Sequence, residues 1–173
     1  MIDKSRDEGA TCIITGVYFV YWLLVSQSTF LVGSRKEEFV DKAGDPKTLF
    51  AKIVYLNEHL PLSLRVADAI KTHMHYENPE NGSVIDGEAT NESFGAGARN
   101  LSVMLDEFGR VDYSIAQRIR ETLSDTTDCV IYNSTHFYGR GHPFAKLRYS
   151  GKVSVIVLPW WKNPVKNEGL YKS

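Results

Sequence analysis

"KSRDEGATC" occupies residues 4–12 and leads into a run, Gly9 to Ser34, that carries no charged residue. A phosphate-binding loop follows the pattern G-x-x-x-x-G-K-[ST], in which backbone N–H groups cradle phosphates, the lysine reaches them and the hydroxyl meets Mg2+. Laid over this stretch, Gly9 takes the second glycine and Thr11 the hydroxyl position. Lys4, however, stands where the first glycine belongs, and Ala10 where the lysine belongs. A lysine stem is long and flexible, so it can reach the phosphates from the start of such a loop as well as from its end. On these residues alone two readings stay open. One is a nucleotide loop with a displaced lysine at a helix N-terminus, where free N–H groups and the dipole attract phosphate. The other is a charged loop that only caps a core helix.

Gly9 to Val25 is apolar on most faces and is expected to be a buried helix. A membrane span is the competing reading. The strongly apolar part is about 16 residues, short of the ~20 that spanning needs, and the polar run Ser26, Gln27, Ser28 follows it. A signal peptide fits poorly, because the residues before the run hold more acids than bases. Further on, residues 28–34 form a short apolar run expected as a buried strand. Residues 44–61 show helical spacing at Leu49, Ile53, Leu56 and Leu60, with Asp45 as expected cap, Pro46 at the first position and Pro61 as terminator. Residues 72–89 alternate as a hairpin, with His73 and His75 on one face, and 91–99 form a glycine-rich loop. Strands are expected at 101–107, 128–135 and 152–160, and a helix at 112–124. Strands alternating with helices define an α/β layered domain with a largely parallel sheet.

The chain has 173 residues and 43% hydrophobic content, enough for one domain with a core. Twenty basic against 21 acidic residues leave a net charge of −1, so no global field draws in nucleic acid. Cys12 and Cys129 match no zinc spacing and suit a reducing, cytoplasmic setting. The charged runs at 34–42 and 163–173 are expected to be solvated surface, with lysines able to meet DNA phosphates.

Two later stretches carry chemistry. "LSVMLDEF" (101–108) is an apolar strand that ends in Asp106 and Glu107. Ligands of open α/β sheets bind at that edge, where one carboxylate can hold a Mg2+ shell and its neighbour can activate water. "CVIYNSTHF" (129–137) delivers Asn133, Ser134 and Thr135 to another strand tip. Read in isolation, each stretch also fits an ordinary strand end. Their order, phosphate-type loop, acid-tipped strand, polar-tipped strand, is that of a P-loop ATPase.

The sequence resembles the ATPase part of the large terminase subunit of tailed bacteriophages. The stretches that carry the resemblance are "KSRDEGAT", "GSRKEEFVDKAGDPKTLF", "ENGSVIDGEATNESFGAGAR", "VMLDEFGRVD", "DTTDCVIYNSTHFYGRGHPFAKL" and "LPWWKNPVKNEGLY". The resemblance implies a three-layer P-loop NTPase fold of the RecA-like (ASCE) kind with a mainly parallel central sheet. It implies ATP and Mg2+ as ligands. Lys4, Ser5, Arg6, Gly9, Ala10 and Thr11 would bind ATP, and Thr11 and Asp106 would hold the metal. Glu107 would be the catalytic base, and Asn133, Ser134 and Thr135 the motif that couples hydrolysis to motion. Relatives commonly have an arginine near position 96 that acts on a neighbouring subunit's ATP; here Ala96 stands there, and Arg99 is the candidate arginine finger. The implied function is the motor that drives double-stranded DNA into a capsid, with portal and small terminase subunit as partners, a homo-oligomeric ring and no membrane. Residues 1–173 are expected as a single ATPase-type domain lacking the upstream strand and adenine motif and the C-terminal nuclease domain. The alternatives are a non-catalytic prophage-type remnant that keeps the fold and, further off, a membrane-associated protein.

Overall fold

Alternation along three strands decides which side chains meet at the sheet's edge. In β2 (Thr29–Ser34), Phe30 and Val32 enter one apolar cluster while Leu31 enters another. In β6 (Ser102–Asp106), Met104 joins the first cluster, and Val103 and Leu105 join the second. In β7 (Val130–Ser134), Ile131 faces the first cluster, and Val130 and Tyr132 face the second. Successive residues of a strand point to opposite faces, so the sheet lies between two cores. The computed structural model describes residues 1–97 and 99–166.

The sheet has eight strands in the order β3-β4-β5-β2-β6-β7-β1-β8. The remaining strands are β1 (Ile2–Lys4), β3 (Ile70–Thr72), β4 (His75–Asn78), β5 (Ser83–Ala89) and β8 (Ile156–Leu158). The six strands from β5 to β8 pair in parallel, and β3 and β4 add an antiparallel edge. Helices α1 (Ala10–Leu24) and α3 (Leu49–Glu58) build the first core, against β2, β4, β5 and β6. Helices α4 (Tyr113–Thr126) and α5 (Pro143–Arg148) build the second, with Phe94 and Phe108 buried among them. A short α2 (Glu37–Val40) follows β2. This is the three-layer, mainly parallel architecture of a P-loop NTPase, with β7 inserted between the loop strand β1 and the acid-tipped β6.

Several details differ from the sequence reading. Helix α1 buries only one side: Ile14, Tyr18, Phe19 and Trp22 pack inward, whereas Ile13 and Leu24 are 63% and 70% exposed. Its apolar character on most faces therefore leaves an apolar stripe outside. No helix among the described residues is long and apolar enough to cross a membrane. Helix α3 starts at Leu49 and not at Pro46. Its cap is Thr48, whose Oγ1 accepts from the Ala51 N–H, while the Asp45 carboxylate closes a turn on the Lys47 N–H. The strand expected at 152–160 contracts to the three residues of β8, an exposed sheet edge. Residues Ile2–Lys4, directly before the phosphate-type loop, form β1, which is paired on both sides, with β7 and β8. His73 and His75 pair with acids, Glu37 for the first and Asp86 and Glu77 for the second. Among the described residues there is no His/Cys/Asp/Glu group able to hold a metal by three or more ligands.

Candidate nucleotide site

Lys4, Asp106 and Asn133 share the parity of Ile2, Met104 and Ile131, so all three point toward α1 at the strands' C-terminal ends. The loop after β1 turns with Asp7 and Gly9 at positive φ, 57° and 72°. Gly9 meets that need at no steric cost, whereas Asp7 is among the few side chains that tolerate it. The first turn of α1 then sets Thr11 over the edge. Its Oγ1 donates to the Asp106 carboxylate at 3.1–3.2 Å. Asn133 Nδ2 donates to Asp106 Oδ1 at 2.7 Å and to Thr11 Oγ1 at 3.2 Å. Loop helix, acid strand and inserted strand thus converge on one small cluster.

The cluster is dry. Asp106 is 9% exposed and Asn133 fully buried. Burial pushes the Asp106 carboxyl above its ordinary value, against the opposing pull of Lys4 and of the hydrogen bonds from Thr11 and Asn133. Asn133 Oδ1 is buried and has no hydrogen-bond partner among the described residues. A hydroxyl and a carboxylate side by side suit a hard divalent cation, which takes oxygen ligands and usually keeps several waters. The residues present fit Mg2+.

Glu107 diverges from its neighbour. It sits in the left-handed region, φ 54° and ψ 27°, and its Oε2 accepts from Arg35 Nε at 2.8 Å. A 3-10 turn, Phe108–Arg110, follows at once. The Gly109 N–H donates to Ser134 Oγ at 2.9 Å, and Ser134 Oγ donates to the Thr135 carbonyl. A Cβ on Gly109 would stand 2.6 Å from that carbonyl, so only glycine allows the approach. Ser134 and Thr135 therefore lie against the backbone just after Glu107.

Three contributors escaped the sequence reading. Arg35 lay within a run taken for solvated surface. Lys52 on α3 donates to the Lys47 and Thr48 carbonyls. Burial lowers its pKa, Cys12 and Asp106 pull the other way, and Lys4 adds repulsion, which places its ammonium in the field of the same edge. The third is the segment after β8. Trp160 N–H donates to Ser5 Oγ at 3.0 Å, Asn163 Nδ2 to Glu8 at 3.1 Å and Lys166 Nζ to Glu8 at 2.8 Å and to the Arg6 carbonyl. The rest of the charged run, 167–173, lies outside the described residues. Arg99 is not part of the cluster. Its carbonyl meets Thr29 Oγ1 at the start of β2, at the sheet's opposite edge, and its side chain is exposed.

The sheet order and the layers on its two faces are those of the P-loop NTPase fold. No protein-family model and no curated protein sequence matches the chain. Among solved structures it is similar to the large terminase ATPase domain of Thermus phage P74-26, at TM-score 0.68 and 13% identity, over 99% of this chain and 80% of that one. It is similar to the HK97 bacteriophage large terminase at TM-score 0.67 and 13% identity, over 92% of this chain and 35% of that one. It is also similar to a large terminase from a thermophilic bacteriophage in complex with ADP, at TM-score 0.62 and 12% identity, over 91% and 39%. The chain thus has the fold of phage large terminase ATPase domains and spans about a third of the HK97 protein.

Proposed function

We propose that the chain is an ATP-hydrolysing motor domain of the phage large terminase kind, whose work is to drive double-stranded DNA into a capsid. The observation that carries this reading is the cluster of Thr11, Asp106 and Asn133, with Lys4 on the same face and Glu107 next in sequence. The triphosphate would lie along residues 4–11 against the N-terminus of α1, where N–H groups and the helix dipole favour negative charge. Lys4 adds a cation. Thr11 and Asp106 would hold Mg2+, which offsets phosphate charge when bound. Glu107 would take the proton of the attacking water, since Asp106 is committed to Thr11 and Asn133. Ser134 and Thr135 would pass changes at the 3-10 turn to β7. Assembly into a ring with portal and small subunit, in the host cytoplasm, belongs to the same proposal, as does an arginine supplied in trans by Arg99.

The test is nucleotide binding and turnover by the 173-residue chain with Mg2+. Glu107→Gln should keep ATP affinity and lose hydrolysis by roughly a hundredfold or more, because glutamine cannot accept the proton. Lys4→Ala should weaken affinity and turnover together, since the cation faces phosphate in both ground and transition states. Parent-like turnover in Glu107→Gln would remove the reading.

A further inference from the structure

We infer that the surface built from Arg110, Tyr113 and residues 136–149 is a docking face for the phosphate backbone of duplex DNA. The choice of duplex DNA rests on the motor reading, but binding at this face needs no ATP turnover. The chain segregates its charge. Between Asp128 and Glu168 stand the cations Arg140, Lys146, Arg148, Lys152, Lys162 and Lys166, and no acid. The net charge of −1 over the whole chain hides this local excess, which sets up a positive field of its own. Residues 135–142 follow the tip of β7 and lead into α5, while Arg110 ends the 3-10 turn after β6. The face therefore lies on the second-layer side of the sheet's edge, beside the Thr11–Asp106–Asn133 cluster and not in it.

Exposed aromatic rings hold these cations in place. The Arg110 guanidinium lies 4.8 Å from the centroid of Phe137, whose ring stands edge-on to Tyr138. Tyr138 stacks on His142, and His142 meets Tyr113, which carries the Lys146 ammonium at 5.3 Å on its ring and at 3.0 Å on its hydroxyl. The Tyr149 ring gathers Arg140 at 6.0 Å, Arg148 at 5.3 Å and the stacked His136. Tyr113, Phe137, Tyr138 and Tyr149 are all exposed. Asp3 accepts from Arg148 at 2.9 Å, and Asp112 borders Tyr113 and Tyr138. Among the described residues, however, Arg110, Arg140 and Lys146 form no ion pair with a carboxylate. Two guanidiniums drawn to one ring repel each other, and an anion bound between them relieves that repulsion. An arginine stacked on a ring keeps its N–H edge free, and that edge grips phosphate in a bidentate way. Rings already faced by cations are poor platforms for bases, which favours the backbone of a duplex over the stacked bases of a single strand.

The test is fluorescence anisotropy of a labelled duplex of mixed sequence, titrated with the full chain at low salt and without nucleotide. The parent should bind, and its affinity should fall as salt rises. Arg140→Ala and Lys146→Ala should each weaken binding by about three- to tenfold and lower the salt slope by about one. Both residues are exposed, so both variants should melt as the parent does. Tyr149→Leu changes no charge; it should weaken binding by loosening Arg140 and Arg148 while the salt slope stays near the parent's. Arg118→Ala removes an exposed cation that pairs with Glu92 outside the face, and should leave affinity unchanged. A parent that shows no salt-dependent binding would overturn the inference. So would parent-like affinity in both Arg140→Ala and Lys146→Ala, an equal loss in Arg118→Ala, or tighter binding of a single strand of the same length or of phosphatidylglycerol vesicles. Parent-like turnover in Glu107→Gln would instead remove the motor reading and leave the measured DNA face standing.

Discussion

Asp106 is held in a conformation useful for binding and poor for stability. Its folded carboxyl sits above its ordinary value of 3.8, chiefly through burial. The native state therefore binds that proton more tightly than the unfolded chain does, and stability falls as pH rises above that value. Asp106→Asn removes the buried charge and keeps an acceptor for Asn133. At pH 7 it should raise the unfolding free energy of the ligand-free chain by about 1 kcal/mol. Mg2+-dependent ATP binding should vanish in the same variant; calorimetry with and without nucleotide checks both signs. His142 shows the opposite linkage. Its Nε2–H donates to the Val111 carbonyl, and its Nδ1 accepts from the Phe144 N–H to cap α5. Burial lowers its pKa below the ordinary 6.5, so the neutral ring contributes stability above that value that is lost as pH falls below it. Asn at position 142 still caps a helix and does not titrate. His142→Asn should therefore flatten the melting temperature between pH 6.5 and 5, where the parent declines.

At the scale of elements, what was legible in the sequence was local, and what was not was brought together by the fold. The helix after Gly9, the strands tipped by Asp106 and by Asn133 to Thr135, and the hairpin at 72–89 all follow from periodicity and turn residues within a dozen positions. Pro46 misled because proline suits the first helical position, yet Thr48 supplies the hydroxyl that α3 uses as its cap. Arg35 was invisible because its partner lies 72 residues away. The fastening of the phosphate-type loop by residues 160–166 spans at least 155 positions and leaves no pattern in either segment. That fastening has a measurable consequence. The Glu8 carboxylate accepts from both Lys166 and Asn163, so Glu8→Ala removes both of those contacts and leaves the loop held by Trp160 on Ser5, by Lys166 on the Arg6 carbonyl and by β1. Hydrogen exchange at residues 5–9 should quicken and ATP affinity drop by about three- to tenfold, while β2 and β6 keep their protection. Equal exchange in parent and variant would make the contact incidental.

The whole molecule is two cores on one sheet, and the site sits where only one of them reaches it directly. Helix α1 from the first layer supplies Thr11, whereas α4 and α5 of the second touch no residue of the Thr11–Asp106–Asn133 cluster by any recorded hydrogen bond. The second layer meets the site through the 3-10 turn. The Phe108 ring lies tilted against Tyr132 and edge-on to His142, and Gly109 rests on Ser134. A change at Glu107 must then move Phe108 within a core packed as densely as a crystal, and so displace α5 or be resisted by it. Ser134 is the polar joint in that path. Ser134→Ala leaves the buried Gly109 N–H without its acceptor, a loss of about 1–3 kcal/mol. The direct contacts among Thr11, Asp106 and Asn133 are untouched. ATP affinity should therefore stay close to the parent's while kcat falls. Ser134→Thr, which keeps the hydroxyl, should recover turnover if the added methyl fits. A matching fall in affinity would mean that Ser134 only holds the sheet edge together, and that the second layer does not sense the site through it.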